Sequence, residues 1–125
     1  DDQEGLLRSA NAATRLLVMF ESDQAYEELD EILSVDGVDM VTFGGNDWAV
    51  GIDLFGAQAK EYLTPKVERI FDAASKAGKM ITVSVSSPDE LNYYFKLGAR
   101  IFFLGVDVTI KRKAITETLM RYKNP

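Results

Sequence analysis

Four runs of apolar, β-branched and aromatic residues recur along the chain: Arg15 to Phe20, Met40 to Phe43, Met80 to Val85 and Arg100 to Leu104. None alternates with polar residues over any length, which predicts parallel strands covered by helices. Between these runs the apolar positions return at helical spacing. Ser22 or Asp23 is expected to cap a helix whose buried stripe is Tyr26, Leu29, Ile32 and Leu33. Thr64-Pro65 is expected to open another, with Val67, Ile70, Phe71 and Ala74 on one face and Gly78 as its stop. Ser87-Pro88-Asp89-Glu90 reads as a capping box, and its helix runs through Leu91, Tyr94 and Phe95 to Gly98. Leu6 to Thr14 is expected to form an opening helix and Val108 to Tyr122 a final one, with Asp107 as the final helix's cap. The stretch Trp48 to Leu63 reads as a long loop with two glycines, a length that is often functional in a compact domain.

The predicted order is therefore α-βα-βα-βα-βα. At 125 residues the chain, 1–125, is one domain's length. Four βα units are half of an eightfold barrel, which typically needs about 250 residues. The fold class expected is α/β, a (βα)4 half of a TIM (β/α)8 barrel with parallel strands. Such a half leaves two strand edges and an apolar sheet face open, so it is expected to be completed by another half or by oligomerisation. A free-standing flavodoxin-type sheet is the structural alternative; it usually has five strands, and four are counted here.

Composition narrows the chemistry. A hydrophobic content of 46% marks a globular chain, and a net charge of −6 argues against nucleic acid and anionic membrane as partners, since both need a basic footprint. No run approaches the ~18 apolar residues of a membrane span, and the acidic start Asp1-Asp2-Gln3-Glu4-Gly5 is unlike a signal peptide. The chain has no Cys, which is compatible with the reducing cytoplasm, the expected location. It has no His, which removes the common zinc sites and any His general base.

Glu21 closes the first strand run, and Asp47 closes the second through the turn Gly44-Gly45-Asn46. In a parallel βα array the C-terminal strand ends share one face, where active sites form. Two carboxylates there suit a hard divalent metal, which takes oxygen ligands and keeps positions open for water and substrate. The bland reading is a pair of solvated strand-end acids. Gly45 lets the backbone approach a ligand closely, Trp48 is expected as a pocket wall, and Ser86 lies where it would touch substrate; Ser87 is better read as an N-cap. Asp23, Glu27, Glu28, Asp30 and Glu31 read as an exposed acidic helix face, and Lys111, Arg112 and Lys113 as a solvated basic one.

Several separated motifs resemble the HpcH/HpaI aldolase / citrate lyase family. Phe20-Glu21-Ser22 is similar to its I-E-T strand end, Leu29-Asp30-Glu31-Ile32 to its L-D-E-I helix, and Val35-Asp36-Gly37-Val38-Asp39 to V-x-G-V-D. Thr42-Phe43-Gly44-Gly45-Asn46-Asp47-Trp48 resembles F-I-G-P-x-D-L. Ala77-Gly78-Lys79, Tyr94-Phe95-Lys96-Leu97-Gly98-Ala99-Arg100 and Leu104-Gly105-Val106-Asp107 resemble A-G-K-P, Y-L-x-L-G-F-R and V-G-x-D. The likeness spans nearly the whole chain and only the C-terminal half of the family. It implies a (β/α)8 barrel of metal-dependent lyases acting on 2-oxo acids such as pyruvate or oxaloacetate, with Glu21 and Asp47 as ligands of Mg²⁺ (or Mn²⁺ or Co²⁺). The reaction implied is class II aldol cleavage of a 4-hydroxy-2-oxo acid to pyruvate and an aldehyde through a metal-stabilised enolate. Backbone N–H groups at Gly45, Asn46 and Asp47 would cradle the substrate carboxylate. The family's base and substrate-clamping Arg belong to the N-terminal half, so they are expected outside this chain. The sequence departs from the family at Gly45, where the family has Pro, and at Trp48-Ala49, where it has Leu-Ser. A Gln two residues before the ligand Glu is Met19 here. The alternatives are a non-catalytic or degenerate half-barrel subunit, or a macrophomate-synthase-like oxaloacetate decarboxylase that forms C–C bonds. The partner expected is a second copy or a complementary N-terminal half-barrel chain.

Overall fold

The computed structural model describes residues 2–123; Asp1 of the acidic start, and Asn124 and Pro125, lie outside the described residues. The elements run α1 (Gln3–Ala13), β1 (Leu16–Phe20), α2 (Asp23–Glu27), α3 (Leu29–Ser34), β2 (Val38–Phe43), α4 (Gly45–Gly51), α5 (Gly56–Lys76), β3 (Met80–Ser84), α6 (Pro88–Lys96), β4 (Ile101–Phe103) and α7 (Asp107–Lys123). The sheet order is β1-β2-β3-β4, and every pairing is parallel. This is the four-stranded parallel α/β arrangement expected from the apolar runs. All four strands lie within two residues of the predicted bounds.

Strand alternation divides the side chains between two faces. Val18, Phe20, Val41, Phe43, Ile81 and Val83 point to the helices and meet the apolar stripe of α5 in one core. Phe71 stands at its centre against Phe43 and Tyr94, with ring centroids 6.1 and 5.8 Å away, and no part of Phe71, Ile70 or Ala74 reaches solvent. Met19, Met80, Ile101 and Phe103 alternate to the opposite face, and all four are exposed. Thr42 and Thr82 are buried between these neighbours, and the Thr82 hydroxyl has no hydrogen-bond partner. The open apolar face and the free edges of β1 and β4 are those expected of half a barrel. Neither α1 nor α7 contains a buried residue. No helix among the described residues is long and apolar enough to cross a membrane.

Three sequence expectations are corrected. Trp48 to Leu63 is not a long loop: it contains most of α4 and the first two turns of α5, joined by Ile52 to Phe55. Thr64-Pro65 does not open a helix, because Pro65 lies inside α5. Ala59 and Leu63 extend the stripe of Val67, Ile70, Phe71 and Ala74 back by two turns, and both are buried. An interior Pro costs about 3 kcal/mol or more, whereas burying a Leu side chain returns about 1.5–3 kcal/mol. The helix continues because Leu63 and Ala59 are both buried through it, while Pro65 faces solvent, where water can serve the Glu61 carbonyl. The helix expected after Ser22 is also divided, into α2 and α3 at Glu28 (φ −90°, ψ 13°). Ser22 is its cap, accepting the Ala25 N–H at 3.1 Å.

Pro65→Ala restores the missing N–H without touching the buried stripe. It is expected to stabilise the protein by about 2 kcal/mol in urea unfolding, less than the full Pro penalty because the variant also gains unfolded-state entropy. An unchanged midpoint would show that α5 does not carry the ordinary cost of its interior Pro.

Candidate functional site

The parallel order brings the C-terminal ends of β1 and β2 side by side. Their pairing runs past the strands: the Gly44 N–H donates to the Phe20 carbonyl at 2.9 Å. Glu21 follows Phe20, and its side chain lies directly over Gly44. A Cβ built at Gly44 would stand 2.7 Å from Glu21 Oε2, 2.9 Å from Glu21 Cβ and 2.9 Å from Met19 Sδ. A side chain at Gly44 would therefore force Glu21, its Cβ included, to shift. Gly44 is the N-cap of α4, and Gly45, Asn46 and Asp47 are its first three residues, whose N–H groups an α-helix leaves without intrahelical acceptors. The Trp48 N–H is the first to be taken, by the Gly44 carbonyl at 2.9 Å.

These residues border an open cavity of about 540 Å³ at the strand ends, together with Met19, Ser84, Ser86 and Glu90. Of the expected site residues, Gly45, Asn46, Asp47 and Ser86 line it, and Glu21 reaches its rim over Gly44. Among the described residues no cluster of three or more acids forms a ready-made cation cage. The donor set is two exposed carboxylates on adjacent strand ends, which suits a hard cation that keeps most of its positions for other ligands.

Trp48 is a correction. It was expected to wall the pocket, but its side chain is fully buried. The ring packs against Tyr26 at 5.9 Å between centroids, and its Nε1–H donates to Asp23 Oδ1 at 3.2 Å. The backbone turns Asp47 outward and Trp48 inward, so the larger residue fills the core behind the site. Sequence reasoning missed Asp23, which it placed on a solvated acidic face. Its carboxylate also accepts the Tyr62 hydroxyl at 2.9 and 3.0 Å and pairs with Lys66 Nζ at 3.3 Å. Burial pushes the Asp23 carboxyl up, but the hydrogen bonds from Tyr62, Lys66 and Trp48 outweigh it and hold it below the usual value. Lys66 in turn lies 4.3 Å from the Tyr26 ring centroid and 4.6 Å from that of Tyr62. The i,i+4 spacing of Tyr62 and Lys66 was the one available signal.

Ser86 is held by Glu90. Its N–H and its hydroxyl both donate to Glu90 Oε2, at 2.8 and 2.7 Å, and these two bonds keep the Glu90 carboxyl below its usual range. The capping box is present in altered form: Ser87 Oγ accepts the Glu90 N–H at 3.2 Å, while the Glu90 side chain reaches back to Ser86. Asp107 pairs with Lys111 at 2.8 Å in the first turn of α7, so part of the basic run is neutralised there. A second cleft of about 500 Å³ opens among α4, α5 and α6, between Leu54, Leu63, Val67 and Tyr94; its walls are mostly apolar, and it holds neither strand-end acid. Beside it the Tyr93 hydroxyl donates to Glu68 at 2.7 Å.

A family model described as HpcH/HpaI aldolase/citrate lyase matches residues 2–114. The chain is 27% identical over 117 residues to a hydroxypyruvate/pyruvate aldolase of Delftia acidovorans, covering 94% of this chain and 44% of that protein. It is 28% identical over 118 residues to a 4-hydroxy-2-oxo-heptane-1,7-dioate aldolase of Shigella flexneri, covering 94% and 44%. Among solved structures it superposes on an HpcH/HpaI aldolase/citrate lyase family protein of Burkholderia cenocepacia with a TM-score of 0.85 at 22% identity, over 98% of this chain and 48% of that one. The chain thus spans about half the length of the curated relatives it matches.

Gly44→Ala is expected to destabilise the protein by about 1–3 kcal/mol in urea unfolding, the usual cost of forcing an atom into filled space. A loss no larger than an ordinary surface substitution would show that Glu21 does not rest on Gly44. A second outcome concerns alkaline pH. Burial first, then the hydrogen bond to Glu68, push the Tyr93 phenol up to about 12 from 10.0. The folded state therefore favours neutral Tyr93, a contribution complete below pH 10 and lost as pH rises through 12. Tyr93→Phe is expected to flatten stability against pH in that window; an unchanged profile would refute the assignment.

Proposed function

Because this chain belongs to the HpcH/HpaI aldolase/citrate lyase family, we propose that it is the cation-binding half of a pyruvate-type aldolase. The reaction is reversible cleavage of a 4-hydroxy-2-oxo acid to pyruvate and an aldehyde. The observation that carries this reading is the seating of Glu21 on Gly44 beside the first turn of α4, with Asp47 one turn along from Gly44. Glu21 and Asp47 would hold Mg²⁺ or a similar divalent ion, which when bound supplies Lewis-acid polarisation of the 2-oxo group. The amides of Gly45, Asn46 and Asp47 are free donors of the kind that bind a substrate carboxylate. The Ser86 hydroxyl spends its proton on Glu90, so toward substrate it offers only lone pairs. It is therefore suited to accept a hydrogen bond from the 4-hydroxyl.

Cleavage breaks the C3–C4 bond: the 4-hydroxyl loses its proton, its oxygen becomes the aldehyde carbonyl, the bonding pair passes to C3 and the 2-oxo group, and a proton returned to C3 completes pyruvate. The proton acceptor is expected outside this chain, which has no His, as is the substrate-clamping Arg. The open apolar face formed by Met19, Met80, Ile101 and Phe103 supports the same incompleteness. It favours a partner, either a complementary N-terminal half-barrel or a second copy of this chain. The alternative reading, a half-barrel that only associates, draws on that face alone and leaves the two strand-end acids unexplained. The cysteine-free composition fits a reducing cytoplasm.

Mn²⁺ or Mg²⁺ is expected to raise the melting temperature. A ligand at a hundred times its Kd stabilises the native state by about 2.7 kcal/mol, and Asp47→Ala should abolish the shift. No shift in the wild-type chain would sink the ligand assignment. Aldol cleavage with Mn²⁺ is expected only when an N-terminal half from a related aldolase is added. Inactivity of that mixture, with metal bound and the halves associated, would favour the purely associating reading.

A further inference from the structure

Glu21 lies in the short link between β1 and α2, and Asp47 in the first turn of α4; the backbone pairing of β1 with β2 ends at Gly44. Yet two residues after Glu21 comes Asp23, and one after Asp47 comes Trp48. The Trp48 Nε1–H donates to Asp23 Oδ1 at 3.2 Å, joining the start of α2 to α4 just behind the two acids. Neither partner is free to drift. Trp48 is fully buried, and the Asp23 carboxylate is fixed from the far side by the Tyr62 hydroxyl and Lys66 Nζ, both on α5. Helix α5 is itself anchored to the sheet through its buried stripe, with Phe71 against Phe43.

We propose that Asp23 and Trp48 are positioning residues: their hydrogen bond, backed by Tyr62 and Lys66, sets the separation of the Glu21 and Asp47 carboxylates. This rests on the reading of those acids as cation ligands only for its consequence; the brace itself is a statement about distance. Two anionic side chains on separate segments repel, and a cation must gather them at an entropic cost. A bond that holds the start of α2 to α4 removes part of that cost before the ion arrives. Asp23 also adds negative charge nearby, so its removal would weaken cation binding by electrostatics alone. Substitutions that leave the charge unchanged separate the two effects.

The test uses the absence of native cysteine. A Glu21→Cys, Asp47→Cys double variant of the full chain carries a nitroxide label at each site, and the dipolar broadening of its EPR spectrum reports their separation without metal. A single narrow separation is expected, and adding Trp48→Phe, which keeps a buried ring and the charge but deletes the donor, should spread it. Tyr62→Phe asks the same question from a more exposed position, should Trp48→Phe not fold. Unchanged broadening in a folded variant of either kind overturns the proposal. With both acids intact, Mn²⁺ titration should show Trp48→Phe weakening binding about tenfold, the low end of what outer supports of a metal site contribute. Mn²⁺ binding insensitive to Glu21→Ala and Asp47→Ala would remove the ligand reading, and the label separation would still decide the brace.

Discussion

The structure depends on one apolar contact, between the helix-facing side of the sheet and the continuous stripe of α5. Phe71, Ile70 and Ala74 admit no solvent there, and Phe43 and Tyr94 close around Phe71. The strands are short, three to six residues, and an isolated sheet of that size is marginal without a packed layer. The same contact explains why α5 tolerates Pro65 and why α4 can turn Trp48 inward. It also divides the sheet into a finished side and an unfinished one: Phe20, Val41, Ile81 and Val83 are buried toward the helices, while Met19, Met80, Ile101 and Phe103 on the other face are exposed. The candidate site lies at the strand ends, where the finished layer stops.

Much of this was legible in the sequence because the responsible forces are local. Near-continuous apolar runs leave few alternatives to covered parallel strands, and Ser87-Pro88 fixes a helix start through its own backbone geometry. Glu21 and Asp47 could be placed at strand ends by the same means. What was not legible depended on distant partners. Pro65 reads locally as a helix start, and only burial of Ala59 and Leu63 against a sheet assembled elsewhere makes it interior. Trp48 beside an acid reads equally well as pocket or core. Its inward turn depends on Asp23, twenty-five positions away. Asp23 itself gathers partners from α4 and α5, a convergence that helical periodicity cannot encode.

The site also shows how close approach and flexibility divide the labour. Gly44 is small so that Glu21 can lie over the backbone, and it keeps a strand-like hydrogen bond to Phe20 while doing so. Gly45, where the resembling family carries Pro, begins the helix without a ring to fix its φ. The anchoring that a Pro gives by covalent geometry is supplied here one turn later, by the indole of Trp48. Ser86 follows a parallel logic just past β3, being oriented by a carboxylate that itself belongs to the next helix.

Helix α7 carries a consequence of a different kind. Val108, Ile115, Leu119 and Tyr122 share one side of it by helical spacing, and none of its seventeen residues is buried. An isolated helix of about that length is marginal in water, because propagation barely repays nucleation. Its amides therefore rely on the helix–coil equilibrium of the segment itself, and should exchange with solvent almost independently of the sheet. A surface that covered that side of α7 would supply the burial the helix lacks here, and any ordering it imposed would lower its affinity.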